Sequence, residues 1–195
     1  VGTGLNFFIN NPAVGSILTD HIGTQIGVGL VGGTNYDQSE YAKNSADISK
    51  YLTTRSGPYA QYAPVLLAHV KSDPSLAHPN IEIKVNPTPN GGTNSNYNSD
   101  ATNEFQILLI SLDQKATTQL KLNADGFVQY PSVYFSNSVD VDQMVDALYN
   151  LLNVMLPKNP KLSLVFGPGG LSHPTLDPTN KADLRKYVAS YGNKD

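Results

Sequence analysis

The chain has 195 residues, with 13 Lys plus Arg against 16 Asp plus Glu, a net charge of −3, 15% charged residues and 39% hydrophobic ones. That length suits one domain of roughly 100–200 residues, and so weak an acidic charge offers no field for a phosphate backbone or an anionic lipid surface, which argues against nucleic-acid and membrane-surface roles. With no cysteine there is no disulfide framework, thiolate metal site or cysteine nucleophile, and no apolar run nears the roughly 20 residues of a transmembrane helix.

In chain order, residues 1–31 read as irregular structure followed by a strand over Thr24–Val31, in which Ile26, Val28 and Leu30 alternate with Gly27 and Gly29. Alternate glycines strip one strand face of side chains, through a bulge, tight sheet packing or the close approach of a ligand. A polar helix is predicted over Gln38–Thr53, with Tyr41, Ile48, Tyr51 and Leu52 at helical spacing, ending before the Ser56-Gly-Pro58 turn. Val65–Val70 reads as a buried strand, and Asn80–Val85 as a half-buried one, with Ile81, Ile83 and Val85 opposite Glu82 and Lys84. Residues 86–100 are low-complexity and read as a long exposed loop, a lid or variable insertion.

Phe105–Leu112 is apolar throughout its centre and predicts the central strand of a sheet. Thr117–Leu122 alternates as a further strand, closed by the turn chemistry of Asn123-Ala-Asp-Gly126. The clearest helix follows, with Val141, Met144, Val145, Leu148, Leu151, Leu152 and Met155 on one stripe, Asp140 and Gln143 as a capping box, and Pro157 as the stop. A short strand over Lys161–Phe166 and a last helix from Asn180 to Tyr191 complete the pass. The sum is one α+β domain over 1–195, a largely antiparallel sheet with helices on one face.

Few residue clusters point to chemistry. Gly2-Thr-Gly4 lacks the rest of a dinucleotide fingerprint, and Gly167-Pro-Gly-Gly170 lacks the Lys-Ser/Thr of a phosphate-binding loop. His21, His69, His78 and His173 never stand at metal-ligand spacing. His21 follows Asp20, which could orient its ring, although a structural hydrogen bond explains the pair as well; His69, late in an apolar strand, reads as a satisfied buried polar group. No Gly-x-Ser-x-Gly elbow occurs, and no pair of carboxylates stands out for glycoside hydrolysis. Tyr59 and Tyr62 flank Gln61 just after the Gly-Pro turn, a set suited to stacking on and hydrogen bonding a small polar ring, with core packing of one tyrosine as the alternative.

Val14-Gly-Ser-Ile-Leu-Thr-Asp-His21 resembles the valine-glycine, leucine and aspartate-histidine element of the glucose-methanol-choline family of flavin oxidoreductases. Leu52-Thr-Thr-Arg-Ser-Gly-Pro58 is similar to that family's turn into Gly-Pro, and Ser136-Asn-Ser-Val-Asp140 running into Val141–Leu156 resembles its aspartate-led apolar helix. The resemblance, carried by segment order over most of the chain, is nearest to the flavin domain of cellobiose dehydrogenases and related carbohydrate oxidoreductases.

The resemblance implies that the chain is the substrate-binding domain inserted between the two parts of a flavin domain, an excised or processed piece, as its start at Val1 also suggests. FAD would then be held by the complete enzyme and not by this chain alone, whose main partners would be a small carbohydrate or alcohol and the flavin-binding domain of the parent. The parent's reaction would be hydride transfer from a carbinol carbon to flavin N5, with a histidine beyond this chain as base. His173, in Leu-Ser-His-Pro-Thr, looks like the family's catalytic stretch but precedes the last helix and lacks the following Gly-Thr, so it does not inherit that role. Expected pocket-lining residues are Tyr59, Gln61, Tyr62 and His69, none of them as acid or base. The rival reading is a stand-alone secreted carbohydrate-binding or interaction module; a glycoside hydrolase or lectin-like domain is a third. Few charges, much Asn, Ser and Thr, and the resemblance itself point to an extracellular protein, although no Asn-x-Ser/Thr acceptor is present.

Overall fold

The alternating and apolar segments of the sequence pair into a sheet in which each strand keeps one face for the core. The computed structural model describes residues 9, 11–29, 45–60, 66–86, 104–129, 134–158 and 177–192. Strands β1 (Gly23–Gly29), β2 (Leu66–Val70), β3 (Ile81–Asn86) and β4 (Glu104–Ser111) form one antiparallel sheet in the order β1-β4-β3-β2. A separate hairpin joins β5 (Lys121–Leu122) to β6 (Val128–Gln129). The helices are α1 (Ser45–Thr54), α2 (Ser138–Asn150) and α3 (Lys181–Gly192), with a 3-10 turn at Pro58–Ala60. This is the α+β class expected, with β4 central between β1 and β3.

The register explains the core. Ile26 faces Ile107 across β1 and β4, and Ile83 faces Leu109 across β3 and β4. Strand alternation therefore sends these four side chains and Ile81 to one face, where they pack with Met144, Val145 and Leu148 of α2 and Leu184 and Val188 of α3. Each such fully buried aliphatic side chain contributes about 1.5–3 kcal/mol relative to exposure. The predicted stripe on α2 is the face it turns to this sheet.

Four expectations change. The expected strand Val65–Val70 is not buried over its described part: β2 is one of the two edge strands of the described sheet, paired only with β3, and Leu66 and Leu67 are 50% and 53% exposed. Thr117–Leu122 does not run as one strand; Thr118 makes a single bridge to Leu18, and regular pairing is confined to Lys121–Leu122. The turn after it is as expected, with Asn123 Oδ1 accepting from the backbone N–H groups of Asp125 and Phe127 and Gly126 supplying a φ of +85°.

The cap of α2 is Asn137, whose side chain accepts from the Val139 N–H at 2.9 Å. Asp140 and Gln143 therefore do not form the expected capping box. Asp140 is instead fully buried, and its two carboxylate oxygens accept from the N–H groups of Lys115 at 2.7 Å and Ala116 at 2.8 Å, tying the loop after β4 to the start of α2. At its other end α2 runs into a π turn, Leu151–Met155, closed by Leu156 N–H donating to the Leu151 carbonyl. A π turn inserts an extra residue and rotates the stripe. Leu156 consequently takes the core position at 6% exposure, and Met155, predicted there, is 41% exposed.

The turn between β2 and β3 is locked from within. Buried Asn80 accepts the Ser72 N–H at 2.8 Å and donates to Ser72 Oγ at 2.9 Å, while Asn150 of α2 donates to the Ser72 carbonyl at 3.0 Å. The predicted strand Lys161–Phe166, residues 38–44 of the predicted first helix, the end of the first strand at 30–31 and loop residues 87–100 lie outside the described residues.

Candidate functional site

With α2 and α3 on one face of the sheet, alternation directs a different set of residues to the other. Across β2, β3, β4 and β1, the register aligns His69, Glu82, Ile110 and Gly23 in one row and Leu67, Lys84, Leu108 and Gln25 in the next. A third row holds Asn86, Gln106 and Gly27. This second face is thus mixed, with amides, one ionic group and a few aliphatic side chains.

The third row is held by amide hydrogen bonds. Asn86 Nδ2 donates to Gln106 Oε1 at 3.1 Å, and Gln106 Nε2 donates to Gln25 Oε1 at 2.6 Å. Gly27, directly opposite Gln106, has no side chain, so the Gln106 amide reaches diagonally to Gln25. Gln106 is 3% exposed, whereas Gln25 and Asn86 are half-buried at its two sides. The buried central amide, using both its donor and its acceptor, fixes how the flanking amides present themselves. At Gly23 a Cβ would come within 3.0 Å of the Leu109 carbonyl oxygen, so there the glycine serves tight sheet packing.

The ionic group sits beside the amides. Glu82 lies between two partners, with Lys84 Nζ at 2.7 Å from Oε1 and His69 Nε2 at 3.1 Å from Oε2. The Lys84 ammonium first, and His69 after it, hold the Glu82 carboxyl below its ordinary range against the opposing effect of burial. Behind the sheet edge, Tyr187 of α3 donates its hydroxyl to the Gln25 carbonyl.

Of the expected pocket residues, His69 stands on this face, but half exposed on β2 and paired with Glu82, not as a buried polar group. Tyr59 lies half-buried in the 3-10 turn next to α1 rather than in the sheet. Gln61 and Tyr62 lie outside the described residues, as does His173. Asp20 accepts the Tyr134 hydroxyl at 2.7 Å, and His21 is exposed. Sequence reasoning placed Glu82 and Lys84 on a polar strand face but passed over Gln25, Asn86 and Gln106; a lone amide inside the apolar run 105–112 was the available signal. Among the described residues no group of three His, Cys, Asp or Glu side chains is placed to hold a metal ion, and no helix is long and apolar enough to cross a membrane.

A dinucleotide needs a parallel βαβ unit with a glycine turn at a helix N-terminus. The described sheet is antiparallel throughout, so these residues do not fit FAD.

The antiparallel sheet with helices on one face and a mixed polar surface on the other is a fold shared with solved structures of formate oxidase. One, from a study of how a mutation affects FAD modification in the Aspergillus oryzae RIB40 enzyme, superposes with a TM-score of 0.67 at 16% identity over 96% of this chain and 37% of that one. A second from the same enzyme gives 0.65 at 15% identity over 90% of this chain and 35% of the other, and a crystal structure of formate oxidase gives 0.66 at 16% over 95% and 37%. The chain thus spans little more than a third of the length of these proteins, and at such identity the likeness is one of fold. No protein-family model matches the sequence, and no curated protein does.

Proposed function

We propose that this chain is the substrate-binding part of an FAD-dependent oxidoreductase, acting on a carbohydrate or another alcohol and not competent alone. The observation that carries the reading is the fold match, which takes in 96% of this chain but only 37% of a flavoprotein. The family-like segments at Val14–His21, Leu52–Pro58 and Ser136–Asp140 support it independently, and the likeness to cellobiose dehydrogenases favours a sugar or alcohol. The name of the structural neighbours would favour formate instead.

In this reading a flavin held by another domain supplies the redox chemistry, and the second face of the sheet forms one wall of the pocket. The chain's own contribution is to bind and orient the substrate with amides and aliphatic side chains, an effect that can supply several kcal/mol of the barrier reduction. His69 lines the rim through its pair with Glu82, and Tyr59, Gln61 and Tyr62 are the further residues proposed to line the pocket. The parent protein would work outside the cell, in keeping with few charges and many Asn, Ser and Thr.

The test is to purify the 195-residue chain and the complete product of its gene, and to record flavin absorbance with and without sugar under anaerobic conditions. The complete product is expected to be yellow and bleached by substrate, and the chain alone colourless. A colourless complete product that binds sugar would replace this reading by the stand-alone binding module.

A further inference from the structure

The two edge strands of the described sheet differ in what meets their outward side. On β1 the outward carbonyl of Gln25 takes the Tyr187 hydroxyl, so α3 guards that edge. On the β2 side, Leu112 N–H donates to the Asn80 carbonyl, so by alternation Glu82, Lys84 and Asn86 bond to β4, while Ile81, Ile83 and Val85 bond to Val70, Ala68 and Leu66 of β2. Leu67 and His69 therefore turn their backbone N–H and C=O outward, and among the described residues no backbone group meets them. Native edges are usually blunted by Lys, Pro or a bulge. The β2 sequence Leu-Leu-Ala-His-Val has none of these, its register with β3 is continuous, and Leu66 and Leu67 stand half exposed on opposite faces.

Such an edge accepts a further strand, and the strand that fits it is β2 of a second copy. Ala68, the smallest residue, is the midpoint of the five in β2. A two-fold axis through it sets Leu66 against Val70 of the second copy, Leu67 against His69 and Ala68 against itself, so the whole strand is paired. Leu67 and His69, which carry the outward backbone groups, become each other's hydrogen-bonded partners. Charge selects the same register. Lys84 is beside Leu67 and Glu82 beside His69, so an axis at Ala68 continues each Lys84 row into the Glu82 row of the second copy. An axis at Leu67 would align Lys84 with its own copy, and one at His69 would do the same to Glu82, both like-charge arrangements.

We infer that β2 is a self-association edge at which two copies of this chain join as an isologous two-fold dimer, the four strands of each forming one continuous antiparallel sheet. The axis is perpendicular to the sheet, so the second faces merge and Leu67 of each copy becomes a neighbour of the His69–Glu82 pair of the other. An interface built on one five-residue strand is smaller than the roughly 1,200 Å² of stable complexes, so the association is weak and depends on concentration.

Sedimentation equilibrium of the 195-residue chain from roughly 10 μM to 1 mM should show the mean mass climbing from 21.0 kDa toward twice that value. Because the chain has no cysteine, Ala68→Cys supplies one thiol, which meets its copy at the axis with Cα atoms roughly 4.5 Å apart, within disulfide reach. Mild oxidation should therefore give a covalent dimer. Leu66→Cys, more exposed but roughly 13 Å from its copy, should not. Leu67→Lys should hold the chain monomeric over the same range with its urea midpoint unchanged. A mass constant at 21.0 kDa, equal cross-linking at positions 66 and 68, or association indifferent to Leu67→Lys would each overturn the inference. A complete gene product that stays monomeric while the 195-residue chain associates would show that another segment of the parent occupies the edge, and would overturn the second copy as its partner.

Discussion

The hydroxyl of Tyr187 on α3 donates to the backbone carbonyl of Gln25 on β1 at 2.5 Å. Just before β1, Ser111 N–H donates to the Ile22 carbonyl at 2.8 Å, and by alternation Thr24, Ile26 and Val28 are the residues of β1 whose backbone bonds inward to β4. Gln25 therefore turns its carbonyl away from β4, and Tyr187, 7% exposed, occupies that direction. One residue thus has its backbone held from the helix layer and its side chain in the amide row of the opposite face. Tyr187→Phe keeps the ring packing and removes the donor, so a loss of about 1–3 kcal/mol is expected in urea denaturation, with faster amide exchange along β1. An unchanged midpoint would show that the bond contributes nothing.

Asp140 should be more sensitive. Its buried carboxylate is acceptor to two backbone N–H groups, and Asp140→Ala leaves both of them without that partner. A loss of about 2–4 kcal/mol is expected, since hydrogen bonds to a charged group contribute more than neutral ones. Asp140→Asn retains one acceptor oxygen and should lie between the two, a ranking that chemical denaturation of the three proteins checks directly.

The π turn makes a paired prediction. Leu156→Ala empties a core position and should cost about 2–5 kcal/mol, while Met155→Ala, one residue earlier on an exposed surface, should change stability by about 0.5 kcal/mol or less. Equal costs would place both side chains on the core and contradict the rotation of the stripe.

Stability should respond to pH at both ends. Glu82 has a native pKa below its ordinary value, chiefly through Lys84, so the unfolded chain takes up the proton first. Its contribution is complete above the ordinary carboxylate range and is lost as pH falls through the lowered native value. Lys84→Met should accordingly be less stable than the parent at neutral pH, by about 1 kcal/mol or less, and should converge with it in acid. Lys181 is the mirror case: Asp146 raises its pKa above the ordinary lysine value, so its contribution is present below that value and disappears as pH rises through the raised one. Asp146→Asn should flatten that alkaline limb of the stability curve.

The polar-to-apolar alternation of residues 80–85, the apolar run 105–112 and the helical stripe from Val141 were legible because each reflects a local period, two for a strand and 3.6 for a helix, that any tertiary structure must respect. From them came the α+β class, the antiparallel sheet and the helices on one face. Three-residue spacing from Asp140 to Gln143 misled, because Asn137 competes for the same cap and the loop at Lys115–Ala116 offers Asp140 buried donors that only the folded chain brings near.

What the sequence by itself determined, then, is which segments become strands or helices and which face of each is apolar. Tertiary structure alone decided the order of the strands, which left Leu66 and Leu67 on an edge strand, and the register, which joined Gln25 to Gln106 across 81 positions. The physical reason is that a strand's two faces are set by its own residues, whereas its neighbours and register are set by contacts far away in the chain, where a slip of one residue would exchange the core for the amide row.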